Sequence, residues 1–311
     1  MKASPQAVKT TGKARRTRSL AKGFVSLMML LLFFAQGCVD MVVNIDFPDQ
    51  DPKLVVHSFI SPADTAVMVL LSWSTPYSKP RSDGSIAFVP NAHVRLTAQS
   101  GQSTQLTFDP QRNLYRVSTH EYPIVPETYY DLLAEVPGKA TATARAYIPA
   151  ANPTLRFIKT DTIQRDYYSR IMVEYAFTDI PGTGENFYAP SAYRDYYYID
   201  WISDSILYSK YKMHTVYGEE YFSNLNKEGN DFIIKAEGDL HYYWDPDEND
   251  EFEEHIHLLL LVTDEHYFRY HRSLMHYDPD NFFTESIHIY SNVEGGLGVF
   301  AGFNPTYLLV E

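Results

Sequence analysis

Between residues 54 and 148 the chain is divided into seven short apolar runs, and this division restricts the fold more than any other feature of the sequence. The runs are Leu54–Ile60, Val67–Trp73, His93–Ala98, Gln105–Phe108, Leu114–Val117, Tyr129–Val136 and Thr141–Ile148. They are rich in β-branched and aromatic residues and are separated by Pro, Gly, Asn and Asp, which favour turns. In the third run Val94, Leu96 and Ala98 alternate with His93, Arg95 and Thr97, the period of a strand with one buried face. Pro137-Gly138 is a turn signal that joins the last two runs as a hairpin. Seven short strands in about 95 residues predict an immunoglobulin-like β-sandwich.

The pattern breaks at Pro149-Ala150-Ala151-Asn152-Pro153. Proline cannot donate to a sheet ladder and pushes its predecessor into extended geometry, so a domain boundary is expected here. The sandwich then covers residues 53–150, and residues 154–311 form a second β-rich domain with one short helix. Strand candidates in the second half are Leu155–Lys159, Ile171–Phe177, Tyr196–Trp201, Phe232–Lys235, His255–Val262, Ser286–Tyr290, Val299–Phe303 and Tyr307–Val310. Thr263 is placed to cap a helix whose first turn holds Asp264 and Glu265, where negative charge suits the macrodipole. Tyr267, Tyr270, His271, Leu274 and Met275 fall on one face of that helix, and Asp278-Pro279 ends it. The fold class is mainly β.

Residues 1–37 have a different character. Seven bases and no acid precede the apolar run Phe24–Phe34, whose eleven residues are too few to cross a hydrocarbon core of about 30 Å at about 1.5 Å per residue. This is the layout of a cleavable secretion signal. It ends at Ala35-Gln36-Gly37-Cys38, which resembles the lipobox of bacterial lipoproteins, with Ala35 where leucine is commoner. Cys38 is the only cysteine in 311 residues, which argues against an incidental thiol. The expected modification is lipid on Cys38, anchoring the mature chain and leaving it no thiol for a disulfide, a nucleophile or a metal. Residues 38–52 read as a tether. Loss of the signal leaves 19 bases against 39 acids, a net charge of −20. A chain so acidic is repelled by polyphosphate, so nucleic acid is excluded as a partner.

Candidate sites are few. Gly296-Leu297-Gly298-Val299-Phe300-Ala301 fits GxGxxA, yet a dinucleotide fold needs a following helix and a further strand, and only nine residues remain after Gly302. Close backbone packing between the two final strands is the preferred reading of these glycines. Glu253, His255 and His257 alternate along one strand face and are of zinc-ligand type, although no fourth ligand is fixed and a solvated polar face is preferred. Asp245, Asp247 and Asn249 place oxygens at alternate positions as calcium loops do, but Asp250 and Ile256 stand where an EF-hand needs glycine and glutamate. A solvated acidic turn is preferred there. Among 25 tyrosines, the stretch holding Tyr193, Tyr196, Tyr198 and Trp201 offers rings for a sugar, a peptide or a partner protein, against the alternative that they fill the core. No catalytic motif and no cofactor site is expected.

Several phrases together carry a resemblance. They are Lys53-Leu-Val-Val-His-Ser-Phe-Ile-Ser61, Pro90-Asn-Ala-His-Val-Arg-Leu96, Pro137-Gly-Lys-Ala140 and, most specific, Ile289-Tyr-Ser-Asn-Val-Glu-Gly-Gly-Leu-Gly-Val-Phe-Ala-Gly302. With them the chain resembles the Bacteroidota outer-membrane lipoproteins grouped as domain-of-unknown-function 4249. The resemblance implies an outer-membrane lipoprotein, often encoded beside a TonB-dependent receptor, with no catalytic residues to carry over. The expectation is a non-enzymatic accessory or ligand-binding subunit of an uptake complex with that receptor as partner. The alternatives are a surface-anchored hydrolase, acting on glycosides or peptides, and a structural envelope scaffold.

Overall fold

Alternation in the first half sorts each strand into a buried and an exposed face, and the buried faces close on one core. The strands are β1 (Leu54–Ile60), β2 (Ala66–Trp73), β3 (Ala87–Phe88), β4 (His93–Ala98), β5 (Ser103–Asp109), β6 (Leu114–Ser118), β7 (Thr128–Val136) and β8 (Ala140–Ile148). The second half adds β9 (Arg156–Gln164), β10 (Ser169–Thr178), β11 (Phe187–Asp200), β12 (Ser205–Lys212), β13 (His214–Val216), β14 (Phe222–Ser223), β15 (Asp231–Leu240) and β16 (Ile256–Thr263). The one helix among the described residues, α1 (Glu265–Met275), and a long last strand, β17 (Leu297–Val310), follow. The computed structural model describes residues 51–75, 83–150, 153–164, 169–182, 184–200, 205–216, 219–225, 227, 229–240, 255–277 and 288–310.

Neighbouring strands run β12-β11-β16-β17-β1-β2-β6-β5-β4-β7-β8, with β3 beside β2 and β14 beside β11. A separate sheet has the order β13-β15-β10-β9. The architecture is β-sandwich-like, with one short helix among the described residues. The first core gathers Leu54, Val69, Leu96, Tyr115, Leu132 and Ile148. The second packs Tyr188, Leu258 and Leu260 of β11 and β16 against Val173, Phe177 and Ile234 of β10 and β15. Many tyrosines are explained by these interiors. The buried Tyr115 hydroxyl donates to Val89 O and accepts from Ala92 N, while Tyr122 donates to Gln102 O and accepts from Ala98 N. Each ring fills core volume and its hydroxyl fastens a loop.

The first seven expected strands are present, with ends moved by at most two residues, and the Pro137-Gly138 hairpin forms with Gly138 at φ +68°. Four expectations need correction. The two final strands are one: β17 runs unbroken through Pro305 and changes partner between Gly302 and Phe303. Leu297–Gly302 pairs in parallel with β1, and Phe303–Val310 pairs antiparallel with β16. Second, the expected run Val299–Phe303 does not stay among the strands of residues 154–311: Phe300 lies in the first core, and residues 49–311 cluster as one unit. Third, the helix is capped by Asp264, whose side chain accepts from Tyr267 N, and not by Thr263. Its apolar face ends at His271, since Leu274 and Met275 are exposed. Finally, residues 288–290 are not a strand, and the rest of that expected run and Pro279 lie outside the described residues.

Candidate functional site

The glycine-rich phrase builds a seam between β17, β1 and β8. A Cβ on Gly296 would strike the carbonyl of Leu54, on Gly298 that of Val56, and on Gly302 that of Tyr147. Gly298 also has φ +107°, which a side chain would strain. Bare backbone is thus what lets β17 lie against strands of the first half. Asn292 locks the seam with its amide: Nδ2 donates to Phe300 O at 2.7 Å and to Arg145 O at 3.0 Å, and Oδ1 accepts from Phe300 N at 3.0 Å. One side chain stands in for a peptide unit between two strands.

Asp264 is the other lock. Its carboxylate accepts from Tyr267 N at 2.8 Å, Tyr147 N at 3.1 Å and Gly302 N at 3.0 Å, joining α1, β8 and β17. Burial pushes the carboxyl up to about 7, against the pull of the backbone amides that favour its charge.

Beside Asp264 opens a cavity of about 380 Å³, bordered by Glu127, Tyr129, Tyr147, Glu185, Phe187 and His266. A second depression of about 600 Å³ continues from it over the outer face of β4, β7 and β8. Arg145 and His266 border both, so the two form one groove. Register explains its floor: Tyr129 lies opposite Tyr147, Asp131 opposite Arg145, and Leu133 opposite Thr143. Arg145 forks onto Asp131, Nε to Oδ1 at 2.7 Å and Nη2 to Oδ2 at 2.9 Å, with both side chains about half exposed. Its guanidinium also stands over the Tyr129 ring, 5.5 Å from the centroid, and the Tyr129 and Tyr147 rings are 4.8 Å apart. Glu127 holds φ +56°, a conformation glycine or asparagine adopts far more readily.

Other predicted residues fall elsewhere. His255 and His257 turn to Asp195 of β11: His257 Nε2 is 2.8 Å from Oδ2, and His255 N donates to Oδ1 at 2.6 Å. Burial raises the Asp195 carboxyl, but the bonds from His257 and the His255 amide outweigh it and hold it below the usual range. Glu253, Asp245, Asp247, Asn249, Trp201 and Cys38 lie outside the described residues. Tyr193 sits half-buried on the outer face of β11, with Lys210 Nζ 5.4 Å from its ring centroid, and Tyr196 and Tyr198 pair with Ser209 and Leu207 of β12. Among the described side chains, His255, His257 and Tyr193 do not border the groove. Sequence reasoning missed Asp131, Arg145, Tyr129 and Glu127. The signal was available for the first three, because counting outward from the Pro137-Gly138 turn places Asp131 opposite Arg145 and Tyr129 opposite Tyr147.

Residues 41–307 match the family described as Domain of unknown function (DUF4249). The chain belongs to that family. The matched span includes the whole glycine-rich phrase, so the seam lies within the family's own segment. No curated protein matches the chain. Among solved structures it is similar to Salmonella alpha-2-macroglobulin at 12% identity and a TM-score of 0.24, over 70% of this chain and 14% of that one.

Proposed function

We propose that this DUF4249 protein is a lipid-anchored, non-enzymatic subunit of a TonB-dependent nutrient-uptake complex at the outer membrane. In that complex it serves the receptor as an accessory or ligand-binding partner. The groove at the seam carries the reading. Its one fully buried carboxyl, Asp264, has its oxygens turned to backbone amides and serves the fold, which leaves the groove's exposed side chains for binding. Charge supports a protein partner too. A net of −20 is repelled by anionic lipid, so contact beyond the anchor falls to protein. Tyr193, His257 and Leu309 lie in one row across β11, β16 and β17, and Tyr307 beside them is 68% exposed, offering aromatic and apolar anchors.

One observation favours the hydrolase alternative. Asp195 orients His257 as a carboxylate orients a catalytic imidazole. Purification of the full-length chain in mild detergent, through a C-terminal tag, should recover one large β-barrel protein alongside it. Recovery of the lipoprotein alone, with hydrolysis of a polymer substrate that His257→Ala abolishes, would overturn the proposal.

A further inference from the structure

The groove bears on what the protein captures, a question that rests on the binding reading above. It runs along β8 from Thr143 to Pro149, about 20 Å at about 3.3 Å per residue. That length suits an extended molecule. An extended peptide is usually held by adding a strand to an open sheet edge. Here the groove crosses the face of β7 and β8, and β8 is flanked by β7 on one side and by the seam on the other, where Thr143 and Glu294 exchange backbone hydrogen bonds. Recognition must therefore come from side chains.

Those side chains are paired rings and planar charged forks. Tyr129 and Tyr147 form a half-exposed aromatic platform at one end, and the Asp131–Arg145 fork follows it along the floor. Asn292 and Glu294 rim the far end. Rings pack against the apolar C–H faces of a pyranose, and planar carboxylate, amide and guanidinium groups hydrogen-bond vicinal hydroxyls in pairs. Charge narrows the class further. Glu127, Asp131, Glu185, Glu265 and Glu294 outnumber Arg95 and Arg145, so a uronate, sulfated or phosphorylated chain would meet repulsion. We propose that this groove binds a neutral linear oligosaccharide, with Tyr129 and Tyr147 as its stacking platform and Arg145 and Asp131 as its hydroxyl fork.

Glu127 fits the assignment. It spends left-handed backbone geometry to present a carboxylate beside the platform, where glycine would fold at less expense. The test is calorimetric titration of the mature protein with neutral linear hexasaccharides of glucan, mannan and xylan type, a polyuronate hexamer, and hexa-alanine. At least one neutral saccharide should bind, and Tyr129→Ala and Arg145→Ala should each weaken it about tenfold or more. Ile158→Ser, on the exposed strand β9, should leave binding unchanged. Both groove residues are exposed, so folding is checked by an unchanged circular dichroism spectrum. Binding of none of the neutral saccharides, binding indifferent to Tyr129→Ala, or Tyr129-dependent binding of hexa-alanine or polyuronate alone would overturn the assignment. Receptor recovery with Tyr129→Ala in the detergent experiment separates this failure from failure of the docking proposal.

Discussion

Replacing Asp264 with alanine removes three hydrogen bonds at once. It strips the cap from α1, worth about 1 kcal/mol, and leaves the amides of Tyr147 and Gly302 buried without an acceptor, at about 1–3 kcal/mol each. The expected loss is about 3–7 kcal/mol, read as a lower urea midpoint. The sign of its pH dependence follows from burial. A carboxyl whose folded value, about 7, lies above its ordinary 3.8 binds a proton more tightly in the fold than in the unfolded chain. Its contribution to stability is therefore present at low pH and declines as pH rises through that window. The gap between wild type and Asp264→Ala should narrow as pH rises through about 7, and a gap that widens instead would contradict this account.

At the scale of elements, α1 is held by rings. Tyr267, Tyr270 and His271 meet His57 and Phe59 of β1, with His57 Nε2 3.1 Å from the Tyr270 hydroxyl and Tyr267 and His271 stacked at 4.0 Å. Burial lowers both histidines from 6.5; His271 is lowered further by His57 and Lys212 and partly restored by its bond to Tyr267 O. A depressed histidine takes up its proton more readily unfolded, so the contact is intact above 6.5 and weakens as pH falls below it. Protection of the α1 amides from hydrogen exchange, corrected for the intrinsic slowing of exchange in acid, should fall as pH is lowered, and His57→Phe should blunt the fall. An equal loss of protection across β4 and β7 would point to global loosening instead. The element scale also shows what was legible. Strands of the first half alternate cleanly because each has one wet face. Only the second half of β11 was legible, as the run Tyr196–Trp201; its first half escaped because Ala189-Pro190-Ser191-Ala192, which pair with β16, carry no strand signal of their own. The groove was legible only as a hairpin count, and Asp264 only as a first-turn acid, because its partners Tyr147 and Gly302 are remote in sequence.

For the whole molecule, β17 matters most. Its first half lies in one core and its second half borders the other, so the two cores share one strand. Chemical unfolding of a Trp201→Phe, Trp244→Phe variant, followed by fluorescence of the remaining Trp73 and by far-ultraviolet circular dichroism, should give coincident transitions. A chain ending at Gly296 should lose both cores, not the second alone. Separate transitions, or a folded residue 51–150 fragment, would show that the halves stand by themselves.

Parallel pairing of β1 with β17 has a further consequence in time. Val55 emerges from the ribosome early, and its partner Leu297 about 240 residues later. The first strand thus waits beside an open edge until almost everything else has been made, and closure of that edge carries a large loop entropy. For the exported lipoprotein proposed above, such a delay is useful: the part that would jam a translocation channel by folding early lacks its last strand until the tail has followed it across.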